Sequence, residues 1–206
     1  VFVLGVLLCT LAPLLLISAA VDLIAGNPDW SVFLGSALAI FAFGLLAALA
    51  TRGAPLRLDL RQGFVLTTAA WLTMALAGAI PLYFSNVGLS VTDAIFESVS
   101  GITTTGSTVL SHLDLLPPGL LLWRSLLQWI GGLGIVATAV MLFPFLRVSG
   151  MQLFRIEISG VSEKVSARML DSARRIALLY IVLTAACAFG YWWFGMNGFD
   201  AVNHAM

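Results

Sequence analysis

Residues 101–110, GITTTGSTVL, place three consecutive threonines and a glycine between two long hydrophobic runs. Hydroxyl and carbonyl oxygens of Thr103, Thr104 and Thr105 are suited to replace the water shell of a cation. Gly106 permits backbone angles that a side chain would hinder. An ordinary threonine-rich extracellular turn would have the same composition, so these residues alone leave both interpretations open.

The composition places this segment in a membrane protein. The chain has 206 residues, of which 60% are hydrophobic and 10% charged, and its mean hydropathy is +1.03. Such a chain belongs in a lipid bilayer. Its formal net charge of zero indicates neither a nucleic-acid partner nor an acidic ligand. Cys9 and Cys187 both lie in apolar runs, so neither a disulfide framework nor a zinc site is indicated.

The apolar runs that must position the threonines are long enough to cross a bilayer, which predicts an all-α polytopic protein. The first run has no initiator methionine and no basic region before it, so we interpret it as a truncated start rather than as a signal peptide. The predicted spans are residues 1–21, 31–51, 63–84, 119–146 and 174–195.

Basic residues cluster in two of the connections between these spans, at 51–61 and at 147–173. By the positive-inside rule both connections face the cytoplasm. Residues 22–30, 85–118 and 196–206 are then predicted to be loops or connections on the outer side.

The outward connection at 85–118 is too apolar for a plain loop. Ser90 and Asp93 fit the S-x-x-D capping pattern and predict a short helix that is unable to span a bilayer. A short helix that ends in a Thr/Gly segment between two spans is typical of a re-entrant pore loop. Its partial negative C-terminal end would point at a bound cation.

A weak internal repeat supports the pore interpretation. Asp93 recurs as Asp200, and Arg61 recurs as Arg168, both at an offset of 107 residues. The order of span, short polar start and "DA" predicts one complete helix–loop–helix unit at about 61–146 and the beginning of a second. The chain is therefore expected to be a fragment of a larger protein.

Charged residues near the predicted pore loop have competing interpretations. Glu97 and Arg124 are each costly at membrane depth, so a structural ion pair that braces the short helix is favoured over separate snorkelling or a direct ion site. His112 and Asp114 follow the threonines in an outer loop, where solvated positions are favoured over chemistry with Ser107.

Two further functions remain as alternatives: a polytopic membrane enzyme and an assembly subunit that does not transport. The sequence has no G-x-S-x-G or H-E-x-x-H motif to support the enzyme. His204 is interpreted as a packing residue rather than a proton relay. IGGLG at 130–134 lacks the context of a phosphate loop, so it is expected to permit close helix packing.

Three stretches together resemble a known family. FESVSGITTTGSTVL (96–110) is followed by LLLWRSLLQWIGGLGIVATAVMLFPFLRVSGMQLFRIEISG (120–160) and GFDAVNHAM (198–206). They resemble the Trk/Ktr/HKT superfamily of cation uptake proteins, most closely the bacterial TrkH-type potassium uptake branch. The motifs cover about 90–206, whereas 1–89 match by layout only.

The resemblance implies four helix–pore loop–helix repeats of potassium-channel type around one pore. It assigns 1–51 to an extra N-terminal helix pair, 61–146 to the first repeat and 147–173 to a cytoplasmic linker. Residues 174–206 would be the first helix and pore-helix start of a second repeat, truncated here. With one filter strand of four, the chain alone is expected to conduct nothing selectively.

The resemblance also implies the ion and the partners. A glycine at the position of Gly106 is associated with K⁺ and a serine with Na⁺, so K⁺ is expected, bound chiefly at Thr104 and Thr105 beside Thr103 and Gly106. Implied partners are a second copy, giving a homodimer, and a cytosolic nucleotide-binding regulatory subunit that contacts 147–173. The implied location is the bacterial inner membrane, with no enzyme activity and no covalent cofactor.

Overall fold

The computed structural model describes residues 1–53, 60–142 and 162–206. In these ranges the chain is all-α and has no strand, and five of its helices are long and apolar enough to cross a membrane. The predicted fold class and the five predicted spans are therefore confirmed. The helices are α1 (Phe2–Ala25), α2 (Trp30–Ala50), α3 (Leu60–Phe84), α4 (Val91–Ile102), α5 (Pro118–Leu142), α6 (Ser162–Trp193) and α7 (Gly198–Ala205), with a 3-10 helix at Leu113–Leu115.

The connection between α1 and α2 is shorter than predicted, because α1 runs through Asp22 to Ala25. The helix ends at Gly26, which adopts the left-handed conformation with φ 72°. The Asn27 N–H then donates to the Asp22 carbonyl at 2.9 Å. The assignment of 22–30 to a loop was wrong at its start: glycine geometry ends this helix, not the charge of Asp22.

Helix α6 begins at Ser162, well before the predicted span at 174. The last part of the predicted linker is therefore helical, whereas the candidate membrane span begins at Arg174, and the assignment of 147–173 to a cytoplasmic linker stays a prediction. Residues 162–173 are rich in helix formers such as Ala, Arg, Leu and Met, and the charged residues among them hid this helical start from a search for apolar runs. Residues 143–161, including the rest of the predicted linker, lie outside the described residues.

The chain consists of two compact units, Val1–Gly132 and Leu133–Met206. In the first, α1 and α2 approach so closely that a β-carbon on Gly5 would lie 2.6 Å from the Gly44 carbonyl oxygen. The short helix α4 is attached to α3 by a hydrogen bond of 2.6 Å from the Ser98 hydroxyl to the Ala75 carbonyl.

Helix α5 completes the packing around α4 in this unit. Trp123 is fully buried, and its indole N–H donates to the Gly78 carbonyl of α3 at 3.0 Å. One turn on, Leu127 fills the space beside two glycines: added β-carbons would lie 3.0 Å from it at Gly78 and 3.1 Å from it at Gly101. The missing side chains thus allow α5 to lie directly on both α3 and α4.

In the second unit, α7 follows α6 as α4 follows α3. In both places a glycine with positive φ follows the long helix, and a polar N-cap residue then binds the backbone N–H of an aspartate three residues later. The alanine after each aspartate is buried. The equivalent pairs are Gly88 and Gly195, Ser90 and Asn197, Asp93 and Asp200, and Ala94 and Ala201. The local geometry at these four pairs of positions thus recurs at the offset of 107 residues, and the assignment of two helix–loop–helix repeats stays a prediction.

Candidate functional site

The short helix α4 begins as its sequence predicts. The Ser90 hydroxyl accepts the Asp93 N–H at 3.1 Å, and an Asp93 carboxylate oxygen accepts the Ser90 N–H at 3.4 Å. This capping box is confirmed, and it fixes the first turn of the helix. The helix ends at Ile102, where the threonine segment (residues 103–106) begins.

The backbone of the threonine segment folds back onto the end of α4. The Thr104 N–H donates to the Gly101 carbonyl, and the Thr105 N–H donates to the Ser100 carbonyl, both at 2.9 Å. In a trans peptide the N–H of one residue points opposite to the carbonyl of the residue before it. The carbonyls of Thr103 and Thr104 therefore point away from α4.

Ser100 holds the next residues in the same way. Its carbonyl accepts a longer hydrogen bond of 3.4 Å from the Gly106 N–H, which turns the Thr105 carbonyl away from α4 as well. Its hydroxyl donates to the Ser107 carbonyl at 2.6 Å. One small polar side chain thus ends the row of outward-pointing carbonyls, because it pulls the Ser107 carbonyl back toward the helix.

Two residues of the threonine segment adopt left-handed backbone conformations. Gly106 has φ 76° and Thr104 has φ 57°. Threonine is β-branched, so this conformation costs of the order of 1–3 kcal/mol and persists only where the surroundings enforce it. Glycine adopts it without that cost. The only atom near a β-carbon added to Gly106 would be the Gln128 side-chain nitrogen, at 3.8 Å, among the described residues.

The hydroxyls of Thr103 and Thr105 form hydrogen bonds inside the protein. The Thr103 hydroxyl donates to the Val99 carbonyl at 2.8 Å and lies 2.8 Å from the Thr105 hydroxyl. The proton of Thr103 is committed to α4, so Thr105 is the donor in the second contact. Because residues 103–106 are all exposed, their outward carbonyls are accessible, whereas the Thr103 hydroxyl is already engaged.

Glu97 joins α4 to α5 and to the chain that follows the threonine segment. Its side chain is fully buried, and one carboxylate oxygen lies 2.8 Å from the Arg124 Nε. Its other oxygen accepts hydrogen bonds of 2.6 Å from the Thr108 hydroxyl and from the Val109 N–H. The structure thus brings together the two charges that the sequence suggested as a pair, and it adds two contacts that the sequence did not indicate.

Helix α5 lies directly behind the start of the threonine segment. A β-carbon added to Gly131 would overlap the carbonyl group of Ile102. A larger residue at Gly131 would therefore displace either α5 or the backbone that leads into Thr103. Close packing was the expected role of the IGGLG motif, and at Gly131 the structure agrees with it.

The other candidate residues lie apart from this arrangement. His112 and Asp114 are exposed in the connection after the threonine segment. The His204 ring is exposed; its Nδ1 lies 2.9 Å from the Asp200 carbonyl, and its ring packs edge-on against Tyr191 at 6.3 Å. Within the described ranges, no group of three or more His, Cys, Asp or Glu residues is placed to hold a metal ion.

Sequence reasoning missed two kinds of polar residue. Ser100 was not singled out, although a serine inside a short apolar helix, three residues after Glu97, could have been recognised as part of a polar face. Asp22 and Asp29 were assigned to an outer loop, yet both are fully buried. The pattern of the sequence carries no signal for their partners, which are distant along the chain.

Comparisons with known proteins give a consistent result. The family model described as "TrkH: Cation transport protein" matches residues 30–206. The Trk system potassium uptake protein TrkI of Halomonas elongata is 41% identical over 99% of this chain and 42% of that protein. The Trk system potassium uptake protein TrkH of Escherichia coli K12 is 37% identical over 98% of this chain and 43% of that protein.

A solved structure is similar along the whole chain. The crystal structure of the potassium transporter TrkH from Vibrio parahaemolyticus superposes with a TM-score of 0.86 at 33% identity, over 99% of this chain and 41% of that chain. The chain thus spans about two fifths of the length of these relatives. The apolar helices and these similarities place it in the bacterial inner membrane as a multi-pass protein. The chain belongs to the TrkH family of cation transport proteins.

Proposed function

We propose that this chain is part of a potassium uptake protein and that Thr103–Gly106 supplies one strand of its selectivity filter. The observation that carries the proposal is the row of three successive carbonyls, from Thr103 to Thr105, turned away from α4 in an exposed segment. Oriented carbonyl dipoles of this kind replace the hydration shell of K⁺. Other strands of the complete protein would supply the remaining ligands.

The carbonyls of Thr104 and Thr105 are the proposed K⁺ ligands; the Thr105 and Gly106 N–H groups that orient them both donate to the Ser100 carbonyl of α4. The carboxyl end of α4 also lies next to this segment, and its partial negative charge favours a cation there. Gly106 allows the chain to leave the site in a left-handed conformation without strain.

K⁺ is the proposed ion because the relatives named above are potassium uptake proteins and potassium transporters. The glycine at position 106 agrees with the K⁺ preference that the family resemblance implies. We infer transport rather than catalysis, since the relatives are named as transport proteins and the residues considered for an enzyme, His112 and Asp114, are exposed in a connecting segment.

The test uses the full-length protein in a bacterial host that lacks its own potassium uptake systems. We expect growth at low external K⁺ and uptake of K⁺ well above uptake of Na⁺. A host that carries the same vector without the gene is the control. Equal uptake of the two ions would contradict the proposed filter, and absence of uptake by a correctly inserted protein would contradict the proposed function.

The proposed partners are a second copy of the protein and a cytosolic nucleotide-binding regulatory subunit, with 147–173 as the proposed contact. The family resemblance and the Trk system names of the relatives support this proposal. The mass of the purified full-length protein in detergent tests for the homodimer. Co-purification with the regulatory subunit, with and without charge-neutralising substitutions in 147–173, tests the second contact.

A further inference from the structure

Two buried carboxylates lie at the end of the hairpin formed by α1 and α2. Asp22 is in the last turns of α1, Asp29 is the N-cap residue of α2, and both side chains are fully buried. Each accepts hydrogen bonds from backbone N–H groups next to the helices that surround α4. The hairpin is therefore attached to α5 and to the connection between α3 and α4 through carboxylate groups and not by apolar packing alone.

Asp22 binds the first turn of α5. Its Oδ1 accepts the Gly119 N–H at 2.7 Å. Gly119 is the second residue of α5, and the first N–H groups of a helix have no partner inside the helix. The positive end of the helix dipole also favours a carboxylate at this place. In the described residues no basic side chain forms an ion pair with Asp22, and its carboxylate accepts the Gly119 N–H at the start of α5.

The first turn of α5 packs so closely against α1 that the contact fixes the position of α5. A β-carbon added to Gly119 would lie 2.5 Å from the Asp22 Cγ and 2.6 Å from the Ser18 carbonyl oxygen. Only a glycine permits this contact, so the start of α5 is set by the position of Asp22 along α1. Asp22 Oδ2 and Ser18 Oγ are buried and have no hydrogen-bond partner among the described residues.

Asp29 attaches the other side of the pore loop. Its carboxylate oxygens accept the Asn86 N–H at 3.3 and 3.2 Å, and the Asn86 side-chain amide donates to the same carboxylate. Asn86 lies between α3 and α4. The connection into α4 and the helix behind it are therefore both held by the same hairpin.

Helix α5 carries the contacts that hold the threonine segment. Arg124, five residues after Gly119, binds Glu97, and Glu97 in turn binds the backbone of Val109. Gly131 further along α5 contacts Ile102 at the start of the segment. A shift of α5 at its first turn would be passed along the helix to Ile102, just before the threonine segment, and to Val109, three residues after it.

We propose that Asp22 is a positioning residue for ion selection: it anchors α5 by its first turn and thereby sets the geometry of residues 103–106. The α1–α2 hairpin would then act on ion choice although its own residues lie outside the threonine segment. The inference rests on the proposed function as a K⁺ uptake protein, and it adds a residue whose effect on selectivity is indirect.

The test compares Asp22→Asn with Asp22→Ala in the full-length protein. Asparagine keeps the Oδ1 acceptor for the Gly119 N–H and has nearly the same shape as aspartate, so Asp22→Asn should fold. It removes the charge that binds the helix end, and we expect the ratio of K⁺ to Na⁺ uptake to fall about fivefold. Asp22→Ala, which removes the acceptor too, should lower the ratio further. Asp114→Asn is the control, since it removes an exposed acid of the outer connection.

A second readout does not depend on transport. Amide hydrogen exchange at 103–110 in the purified full-length protein should be faster in Asp22→Asn than in the wild type and unchanged in Asp114→Asn. A merely structural role would lower the amount of folded protein and leave the selectivity of the folded fraction unchanged. The uptake ratio is therefore normalised to the amount of folded protein in the membrane.

The outcomes separate the inference from the function on which it rests. If the wild type takes up K⁺ selectively and both Asp22 variants keep its ratio and its exchange rates, the inference is wrong and the proposed function stands. Failure of both variants to accumulate would also overturn it, because Asp22 would then serve folding alone. If the wild type takes up no K⁺, the proposed function fails, and the hydrogen-exchange comparison still decides whether Asp22 holds the segment in place.

Discussion

Glu97→Gln should destabilise the full-length protein strongly although the two side chains have nearly the same shape. The buried Glu97 carboxylate accepts hydrogen bonds from three donors. The side chain of one of them, Arg124, is only 14% exposed. Glutamine has one oxygen and one amide group. If the glutamine oxygen faces Arg124, its NH2 group faces the Val109 N–H, and both are donors. If the NH2 group faces Arg124 instead, it meets the guanidinium group, which is also a donor. Either orientation leaves at least one buried donor unpaired.

The magnitude follows from the burial of the pair. Removal of one partner from a buried ion pair costs about 3–5 kcal/mol, because the other charge stays buried without compensation. A loss of this size changes the ratio of folded to unfolded protein by a factor of about a hundred or more. Arg124→Gln should cost a similar amount, since it leaves the Glu97 carboxylate buried with only the Thr108 and Val109 donors.

The assay is a double-mutant cycle on the purified full-length protein. Thermal unfolding and K⁺ uptake are measured for the wild type, Glu97→Gln, Arg124→Gln and the double variant. The double variant should be more stable than the sum of the single losses predicts, by about 0.5–3 kcal/mol, since neither charge is then left alone. Asp114→Asn, an exposed acid, should behave as the wild type. Additive losses in both measurements would refute the coupling of Glu97 to Arg124.

Three further changes test other parts of the site in the full-length protein. Gly106→Ser should lower the ratio of K⁺ to Na⁺ uptake, because a β-carbon at φ 76° strains the backbone that carries the carbonyls. Gly131→Ala should reduce K⁺ uptake and should lower the free energy of unfolding by about 1–3 kcal/mol, since its β-carbon would overlap the Ile102 carbonyl. Ser90→Ala should lower stability by about 1 kcal/mol through loss of the cap on the Asp93 N–H, as measured by thermal unfolding.

Each of these changes has a matched control. Gly88 has the same φ as Gly106 and open space around it, so Gly88→Ser should strain the chain equally and leave the uptake ratio unchanged. Gly35 lies in helix α2 with no atom near an added β-carbon, so Gly35→Ala should be neutral or slightly stabilising. Ser90→Thr keeps the hydroxyl that accepts the Asp93 N–H and donates to the Asp93 carboxylate, so it should keep the stability. Equal effects of a variant and its control would contradict the role given to that residue.

The helical framework was predictable from the sequence because its causes are local. Five apolar runs of sufficient length predicted five spans, and the pair Ser90 and Asp93 predicted the start of α4. The boundary after residue 21 was not predictable in this way. A charged residue normally indicates the end of a span, but Asp22 remains in α1 because a backbone N–H of a distant helix binds its carboxylate.

The sequence by itself determined which segments cross the membrane and where the threonines fall between them, since hydrophobic length and capping act within a few residues. The pairing of Glu97 with Arg124 was foreseeable because isolated buried charges are costly and few partners exist. Only the tertiary structure decided that Glu97 also binds Val109 and that Ser100 orients carbonyls of the threonine segment. The same holds for the hydrogen bond between Asp22 and the first turn of α5. The pattern of residue types carries no information about how the chain turns after α4 or which residue of α5 faces α1, so these contacts appear only when the helices pack.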